Sequence, residues 1–463
     1  CTWQAKILAG NWDAPIVFTT AGQFLEALFG SGTRGARRMH QLANSVIIFD
    51  EIQTIPINTV HLFNNAVNFL TRQCCSTVVL CSATQPLLHE VDKVKGAVRL
   101  SNNPEMMPAV ERLYKDLRRV KVIDQRKPGG WSDTEVSELA VQEMAESGSV
   151  LVVVNTKSSA KSLYQACKAH GLETVYHLST SMCAMHRRAV LKNIQNDLDN
   201  RNPIVCISTQ LIEAGVDIDF GTVIRYMAGL DSIAQAAGRC NRNGRRQMGR
   251  VFVINPAREN LDKIRDIRIG KDKAERVFGE YADNPDNFDN DLIGPKAMAQ
   301  FYRYYFFDRA AEMTYPIGHP YIDRDDDLLS LLSTNYLSTE AYKHANRLAP
   351  SFYLRQSFKS SAQAFKAIDT QTEGIIVPYS EEGRRLIATM SGIFDLKKQC
   401  ELIKKAQQYS VNVFPYVRDI LVKQNSLHEV QEGSGIMYVE EQHYSNEYGL
   451  SLEITGDMPF LNG

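Results

Sequence analysis

Two adjacent carboxylates, Asp50 and Glu51, end the apolar run Val46-Ile47-Ile48-Phe49. Such a pair can do nucleotide chemistry. One carboxylate holds Mg²⁺, usually through water, and the next orients and deprotonates an attacking water. Both must leave the end of a rigid strand, because a misplacement of about 1 Å costs much of the rate. The plainer reading is a strand-end turn whose acids cap the next helix. Gln53 completes the pattern D-E-x-Q. An amide there can couple a nucleotide to a facing domain, or lie idle on the surface. Ser82 and Thr84 follow a second apolar run. Their hydroxyls can tie a Mg²⁺ site to a neighbouring domain, or simply cap a helix. Pro86 suits a loop-to-helix start.

Farther along, the run 207–219 reads as a strand that delivers Thr209 and Gln210 to a sheet edge. A turn at Gly215 then places Asp217. Gln235, Arg239 and Arg242 are spaced i, i+4, i+7, which predicts one face of one helix. Two guanidinium groups aimed at one point suit a γ-phosphate in its transition state. A solvated basic helix is the alternative, since Arg245, Arg246 and Arg250 extend the charge. Thr19 and Thr20, with Gln23 and the nearby Arg34, Arg37 and Arg38, could grip single-strand phosphates. Thr20 could equally be a helix cap. Asn155-Thr156-Lys157 and the stretch His177–Ser181 each follow a strand and could contact a nucleic-acid backbone.

These residues need a rigid frame. Ala14–Thr20, Ser45–Phe49 and Thr77–Cys81 read as strands, with a short amphipathic helix over Gln23–Phe29. Continuous apolar runs of this kind mark buried parallel strands, and alternation with helices argues for an α/β sheet. A loop at Lys127-Pro128-Gly129-Gly130 precedes a second α/β unit. Its strands are Ser149–Val154, Ile204–Ser208, Thr222–Arg225 and Arg250–Ile254, with a helix over Ser158–His170. Strand ends are where open α/β sheets bind ligands, and Asp50, Ser82, Asn155 and Thr209 all sit there. Beyond 257, Pro295–Met313 and Met390–Gln408 read as helices. Ala364–Ile368, Gly374–Tyr379, Tyr409–Val413 and Gly435–Val439 read as extended. The acidic runs Asp283–Asp291 and Asp323–Asp327 lack EF-hand register and read as solvated loops. The aromatic residues at 301–307 read as packing rather than base stacking.

The chain has 463 residues, enough for roughly three domains. It is 44% hydrophobic and 23% charged, which fits folded domains rather than disorder. A net charge of −1 excludes a global basic field, so any nucleic-acid surface must be local. Nine cysteines show neither a C-x-x-C pair nor zinc spacing, which points to reduced thiols in a cytosolic protein. No apolar run approaches the ~18 residues of a membrane helix. The sequence shows no signal peptide, and a start at Cys1 suggests a fragment or a processed chain. No glycine-rich loop ending in Gly-Lys-Ser/Thr precedes Asp50.

The phrases Phe49-Asp50-Glu51-Ile52-Gln53-Thr54-Ile55-Pro56, Ser82-Ala83-Thr84-Gln85-Pro86, Gln210-Leu211-Ile212-Glu213-Ala214-Gly215-Val216-Asp217 and Gly238-Arg239-Cys240-Asn241-Arg242 resemble motifs II, III, V and VI of superfamily 2 helicases. More narrowly, they resemble the helicase of the CRISPR-associated helicase–nuclease of type I systems. The resemblance runs over roughly 11–463 and is weakest from 257 to 400. It implies two RecA-like parallel-sheet domains, the first N-terminally truncated, a mostly helical linker and a small α+β C-terminal domain. The expected boundaries are 1–118, 119–256, 257–395 and 396–463. It further implies ATP and Mg²⁺ as cofactors, with Asp50 on the metal. Glu51, Gln53, Arg239 and Arg242 would be catalytic. Ser82, Thr84, Gly215, Asp217 and Gln235 would serve the nucleotide, and Thr19, Thr20, Asn155 and Thr209 the nucleic acid. The implied partners are single-stranded DNA from an R-loop, an RNA-guided surveillance complex, and an N-terminal nuclease domain that this chain lacks. The implied location is a prokaryotic cytoplasm, with no membrane partner. The chain departs from the family in the missing phosphate loop, and in Ala236 where an arginine is common. A binding module without its own ATPase, or an RNA helicase of superfamily 2, stays open as an alternative.

Overall fold

The computed structural model describes residues 8–453, apart from 214, 352–354, 368–371 and 393–395. The chain divides into two compact units. One joins Cys1–Glu111 with Pro295–Asp369, and the other joins Arg112–Gly294 with Thr370–Gly463.

In the second unit six strands form one all-parallel sheet. They are β3 (Val120–Asp124), β4 (Ser149–Val153), β5 (Val175–Leu178), β6 (Ile204–Ser208), β7 (Thr222–Tyr226) and β8 (Gly249–Ile254). The spatial order is β3-β8-β7-β4-β6-β5. Strands β4, β6 and β7 are buried along their whole length. Alternate residues feed opposite cores. Val150, Val152, Val205 and Ile207 pack on one face, and Leu151, Val153, Cys206 and Val223 on the other. Each such side chain, fully enclosed, contributes about 1.5–3 kcal/mol over exposure. That is why these strands are continuous apolar runs rather than alternating ones.

The crossover helices are well punctuated. Asp133–Ser147 opens on a capping box, Ser132 with Glu135, and stops at Gly148 in the left-handed region (φ 74°). Thr156 caps Lys157–Ala169. A four-stranded mixed sheet follows, in the order Ser410–Val413, Glu373–Ile376, Met437–Val439, Leu427–Glu429. Its core takes in Cys183, with Met185 packed against it, from the start of the helix Ala184–Asp199.

The first unit has a smaller sheet. β1 (Val46–Phe49) pairs in parallel with β2 (Thr77–Leu80), in the register Phe49↔Leu80. Helices Ala21–Phe29 and Val60–Gln73 cover its inner face. Phe49 meets Phe24 and Phe63 edge-on, each at 4.9 Å between ring centroids. On the other face Val46 and Ile48 are 69% and 65% exposed. Met313, Tyr315, Leu328 and Phe365 complete this core. The segment expected as a linker therefore divides, 257–294 staying with the large sheet and 295–367 packing on the small one.

Several expected elements differ. Ala14–Thr20 forms no strand. Ile16 and Phe18 are 76% and 96% exposed, and β1 hydrogen-bonds to β2 alone among the described residues. A strand needs a neighbour to satisfy its backbone. β3 was not foreseen, because its pattern Val-Lys-Val-Ile-Asp is half polar and it closes an edge of the sheet. Residues 390–408 hold the end of one helix (Ser380–Gly392), a second (Leu396–Ala406) and a 3-10 turn (Gln407–Tyr409). The strand expected over 364–368 is preceded by a helix, Phe358–Ala364, and position 368 lies outside the described residues. Phe301 and Tyr302 are buried, in keeping with packing, while Phe307 is exposed. Among the described residues no group of acids, histidines and cysteines could hold a metal ion as a cluster, and no helix is long and apolar enough to cross a membrane.

Candidate functional site

The ends of β1 and β2 are locked together. Cys81 N–H donates to the Phe49 carbonyl (2.7 Å) and Ile52 N–H to the Cys81 carbonyl (3.2 Å). This fixes Asp50-Glu51 beside Ser82. Glu51 itself adopts φ 54°, ψ 48°, a left-handed conformation uncommon for such a residue. Strain of this kind gathers at functional sites.

A directed chain of hydrogen bonds ends on Glu51. Thr84 N–H donates to Ser82 Oγ (2.9 Å), and Ser82 Oγ donates to Gln53 Oε1 (2.5 Å). The Gln53 amide nitrogen then donates to Glu51 Oε2. The carboxylate accepts only, so it fixes which end of the amide faces it. Donors that all point one way polarise each other. The D-E-x-Q pattern and Ser82 are thus one device that aims the Glu51 carboxylate. Asp50 is exposed, and its carboxylate accepts the N–H of Glu51 at 3.1 Å. Thr84 is 3% exposed and its hydroxyl has no hydrogen-bond partner.

Mg²⁺ commonly binds through one or two carboxylates, water and substrate phosphate. One exposed carboxylate at a strand end fits that need. The orphaned Thr84 hydroxyl is a spare polar group on the loop that leaves the neighbouring strand β2. The residues present would fit the metal side of a nucleotide site, where Asp50 would hold the ion and Glu51 would face the attacking water. The cradle for the phosphates is not among these residues.

The second unit presents the arginines differently from expectation. The helix carrying Gln235 runs Leu230–Ala237 and stops there. Phe220 N–H bonds to the Arg239 carbonyl (2.9 Å) and Asn241 N–H to the Phe220 carbonyl (2.9 Å), pulling the chain into the sheet. Gln235, Arg239 and Arg242 therefore do not share a helical face. Arg239 is 8% exposed, and its guanidinium holds the carbonyls of Ile212 (3.0 Å from Nε) and Glu213. Arg242 stays accessible and pairs with Asp217 at 2.8 Å. Its own N–H and that of Asn243 bond to Asp219. Gly215 sits in an exposed turn at φ 71°. Ala236 is fully enclosed, so an arginine there would enter the core.

Asn155 is not free to meet a ligand. It is 6% exposed, and its amide nitrogen donates to Met227 O (3.0 Å) and Glu259 Oε2 (2.8 Å). Its carbonyl oxygen accepts from Arg225 Nη1 (2.7 Å). It is a strut, because the strand end is buried and its polar atoms must be satisfied within the fold. Thr156 and Lys157 beyond it are the accessible members of that loop. Thr209 is also buried, at the end of β6, with its N–H on Leu178 O (3.1 Å). Thr20 caps Ala21–Phe29 through Gln23 N–H (3.2 Å), and the exposed Thr19 hydroxyl donates to Gln23 Oε1 (3.3 Å).

One constellation escaped the sequence reading. Arg225 is wholly buried in β7, with Nε 3.1 Å from Glu213 Oε1. Its Nη2 donates to Ser232 Oγ (2.8 Å), which donates to Glu213 in turn. Burial pushes the Glu213 carboxyl up to about 7, against the pull of Arg225. The signal was an arginine inside an apolar strand, Thr-Val-Ile-Arg-Tyr. A charge there has to be paired. This network joins the strut Asn155 to the Glu213 whose carbonyl holds Arg239.

A second buried contact ties the small mixed sheet down. His186 Nε2 lies 3.0 Å from the Asn446 carbonyl and Nδ1 3.0 Å from the Tyr444 hydroxyl. That hydroxyl already accepts Cys183 N–H (3.1 Å), so it donates to Nδ1 and His186 is neutral. Burial holds its pKa down, at about 4 against an ordinary 6.5. A depressed folded pKa means the unfolded chain binds more protons, so stability present above pH 6.5 is lost as pH falls toward 4. The expected loss approaches about 3 kcal/mol. Protection factors of the amides in Ser410–Val413 and Met437–Val439, taken against the slower intrinsic exchange in acid, should fall over that window, and His186→Phe should remove that fall. Unchanged protection down to the lower limit would refute this role.

Six parallel strands with helical crossovers define a parallel-sheet α/β fold. Residues 146–245 match the family described as CRISPR-associated nuclease/helicase Cas3, C-terminal. Over that segment the chain is similar to Cas3 nuclease/helicases. The CRISPR-associated nuclease/helicase Cas3 of Haloferax volcanii is 27% identical over 345 residues, covering 56% of this chain and 37% of the relative. That of Methanothermobacter thermautotrophicus is 33% identical over 94 residues, 20% of this chain and 11% of the relative. The chain thus spans well under half the length of the curated relatives it matches. In structure, T. fusca Cas3 with ADP superposes with a TM-score of 0.60 at 15% identity, covering 95% of this chain and 57% of that one. A chain in the structure of a CRISPR RNA-guided surveillance complex, pre-nicking, gives 0.52 at 15% identity, covering 89% and 54%. At such identities the likeness is one of fold.

Proposed function

We propose that the chain is the ATP-driven, single-strand DNA translocating portion of a type I CRISPR interference effector. A surveillance complex would recruit it to the displaced strand. The observation that carries this reading is the hydrogen-bond chain from Ser82 through Gln53 to Glu51. It aims one carboxylate of an adjacent pair, which is what activating a water beside a metal-bound phosphate needs. When bound, Mg²⁺ would neutralise phosphate charge and Asp50 would hold it. Arg242, paired with Asp217 and accessible, is the better candidate for the arginine finger. Arg239 organises the loop at Glu213. Thr19, Thr209, Thr156 and Lys157 supply phosphate-contact positions. Gln235 and Gly215 remain assigned to the nucleotide.

The exposed side chains of Val46 and Ile48 favour a second reading of the chain by itself. It would bind DNA and the surveillance complex while another segment supplies the phosphate loop. ATP hydrolysis with and without single-stranded DNA separates the two. DNA-stimulated turnover by this chain supports a self-sufficient motor. A rate at background in both conditions, restored by a polypeptide that adds the loop, supports the second. Stimulation by RNA and not by DNA would overturn both.

A further inference from the structure

Stability alone does not call for a buried ion pair, because well-packed apolar residues of similar volume often do as well. Arg225 and Glu213 are nevertheless buried within the six-stranded unit. Hydrogen bonds add what apolar packing does not, a single geometry. Here they run in one continuous series. Past β8, the Glu259 carboxylate accepts the Asn155 N–H (3.2 Å), the Asn155 amide nitrogen (2.8 Å) and Ser159 Oγ (3.4 Å). The other amide hydrogen of Asn155 goes to Met227 O (3.0 Å), and its carbonyl oxygen accepts Arg225 Nη1 (2.7 Å). Arg225 Nη2 donates to Ser232 Oγ, which lies 2.9 and 2.8 Å from the two Glu213 oxygens. Gln210 Nε2 reaches the same hydroxyl at 3.5 Å. The Ile212 and Glu213 carbonyls then hold the Arg239 guanidinium.

The two ends of this series open on different loops. Asn155 is followed at once by Thr156 and the exposed Lys157, where the helix Lys157–Ala169 starts. Past Glu213 come the exposed turn at Gly215 and then Asp217, the partner of Arg242 at 2.8 Å. The links span long stretches of sequence: Glu259 is 104 residues from Asn155, and Arg225 is 70. They join the ends of β4, β7 and β8 to the turn after β6, and so cross the middle of the sheet. One joint has two arrangements. Arg225 Nε lies 3.1 Å from Glu213 Oε1 without an aligned hydrogen bond, so the Ser232 hydroxyl carries that link. It has one hydrogen and two carboxylate oxygens within reach, and can turn from one to the other. An element with discrete arrangements is what coupling between two sites requires.

We infer that Asn155 and Glu259 are positioning residues that connect the Thr156–Lys157 loop, through Arg225, Ser232 and Glu213, to the turn bearing Asp217 and Arg242. A strand held at the first loop then orders the second. This rests on the DNA-translocating reading and adds to it the link between the two loops. Neither positioning residue needs to touch DNA or nucleotide.

The test is amide hydrogen exchange of the full chain with and without saturating oligothymidylate, in the parent, Glu259→Ala and Asn155→Leu. The Arg242 and Asn243 amides, bonded to Asp219 at 2.7 and 3.3 Å, report the far end. In the parent their exchange should slow by about 5–150-fold when DNA binds, the usual range for coupled sites. In each variant the slowing should shrink to about twofold or less, while affinity for oligothymidylate stays within about threefold of the parent. A merely structural role would speed exchange equally with and without DNA and keep the parental ratio. Glu259→Ala lies at the half-buried end of the series, so it decides the matter if Asn155→Leu does not fold. If the parent binds DNA with no change at Arg242 and Asn243, or a variant keeps the parental slowing, the link is wrong and the DNA reading stands. If a variant loses more than about tenfold in DNA affinity, its residue is a contact rather than a positioning group, and the inference is overturned. If the parent binds no single-stranded DNA, both fail.

Discussion

Arg225→Met is expected to lower the unfolding free energy of the second unit by about 3–5 kcal/mol, because it strands a buried carboxylate. Glu213 is 6% exposed and relies on Arg225 Nε at 3.1 Å and on the Ser232 hydroxyl. Arg225 in turn satisfies Asn155, the Val153 carbonyl and the Tyr226 carbonyl. The sign with pH follows from the Glu213 carboxyl. It keeps its proton to about 7 in the folded chain, against an ordinary 4.5. Between those values the folded state binds more protons, so this group's contribution falls as pH rises across the window. Without Arg225 the folded pKa climbs further, and the decline extends above neutrality. Urea denaturation at about pH 6 and about pH 8 should show the larger loss at the higher pH. The double variant Glu213→Gln, Arg225→Met should recover the part of the loss that grows with pH, since no charge is left unpaired, while the acceptors that Arg225 satisfies stay unmet. A loss under about 1 kcal/mol at both pH values would mean that water reaches the pair.

That pair marks the limit of what the sequence made legible. β4, β6, β7 and β8 could be read because strands buried on both faces are continuous apolar runs, and Val150–Val154 needs no partner information to say so. The strand-end motifs could be read because Asp-Glu, Ser-Ala-Thr and Gly-Arg-Cys-Asn-Arg sit at fixed steps from such runs. What could not be read depends on contacts distant in sequence. Asn155 looked like a ligand contact because a polar residue after a strand often is one, but Glu259 and Arg225 consume its amide. Arg239 and Arg242 have helical spacing, but the bridge of Phe220 to Cys240 ends the helix first. Ala14–Thr20 has strand composition without a strand beside it. The tie of His186 to Tyr444 joins residues 258 positions apart. In each case a local pattern was overruled by where a distant hydrogen-bond partner stood.

The Glu51–Gln53–Ser82 chain makes the sharpest functional prediction. In a polypeptide that pairs this chain with a phosphate-binding loop, Glu51→Gln should reduce DNA-stimulated ATP turnover by about 10²–10⁴-fold. The replacement is nearly isosteric, so the ends of β1 and β2 stay joined through Phe49 and Cys81. Nucleotide and DNA should still bind, because Asp50 and the basic positions are untouched. Asp50→Asn should behave differently, weakening Mg²⁺-dependent nucleotide binding as well as turnover. Gln53→Ala should fall between. It removes the donor that orients the carboxylate but leaves the base in place, so the rate drops while nucleotide affinity holds. That ordering follows from position in the chain: the group that takes the proton matters more than the one that aims it. A Glu51→Gln variant within threefold of the parent would remove Glu51 as the base. Gln53→Ala indistinguishable from the parent would leave Glu51 as the base and show that its aim comes from the strand end alone.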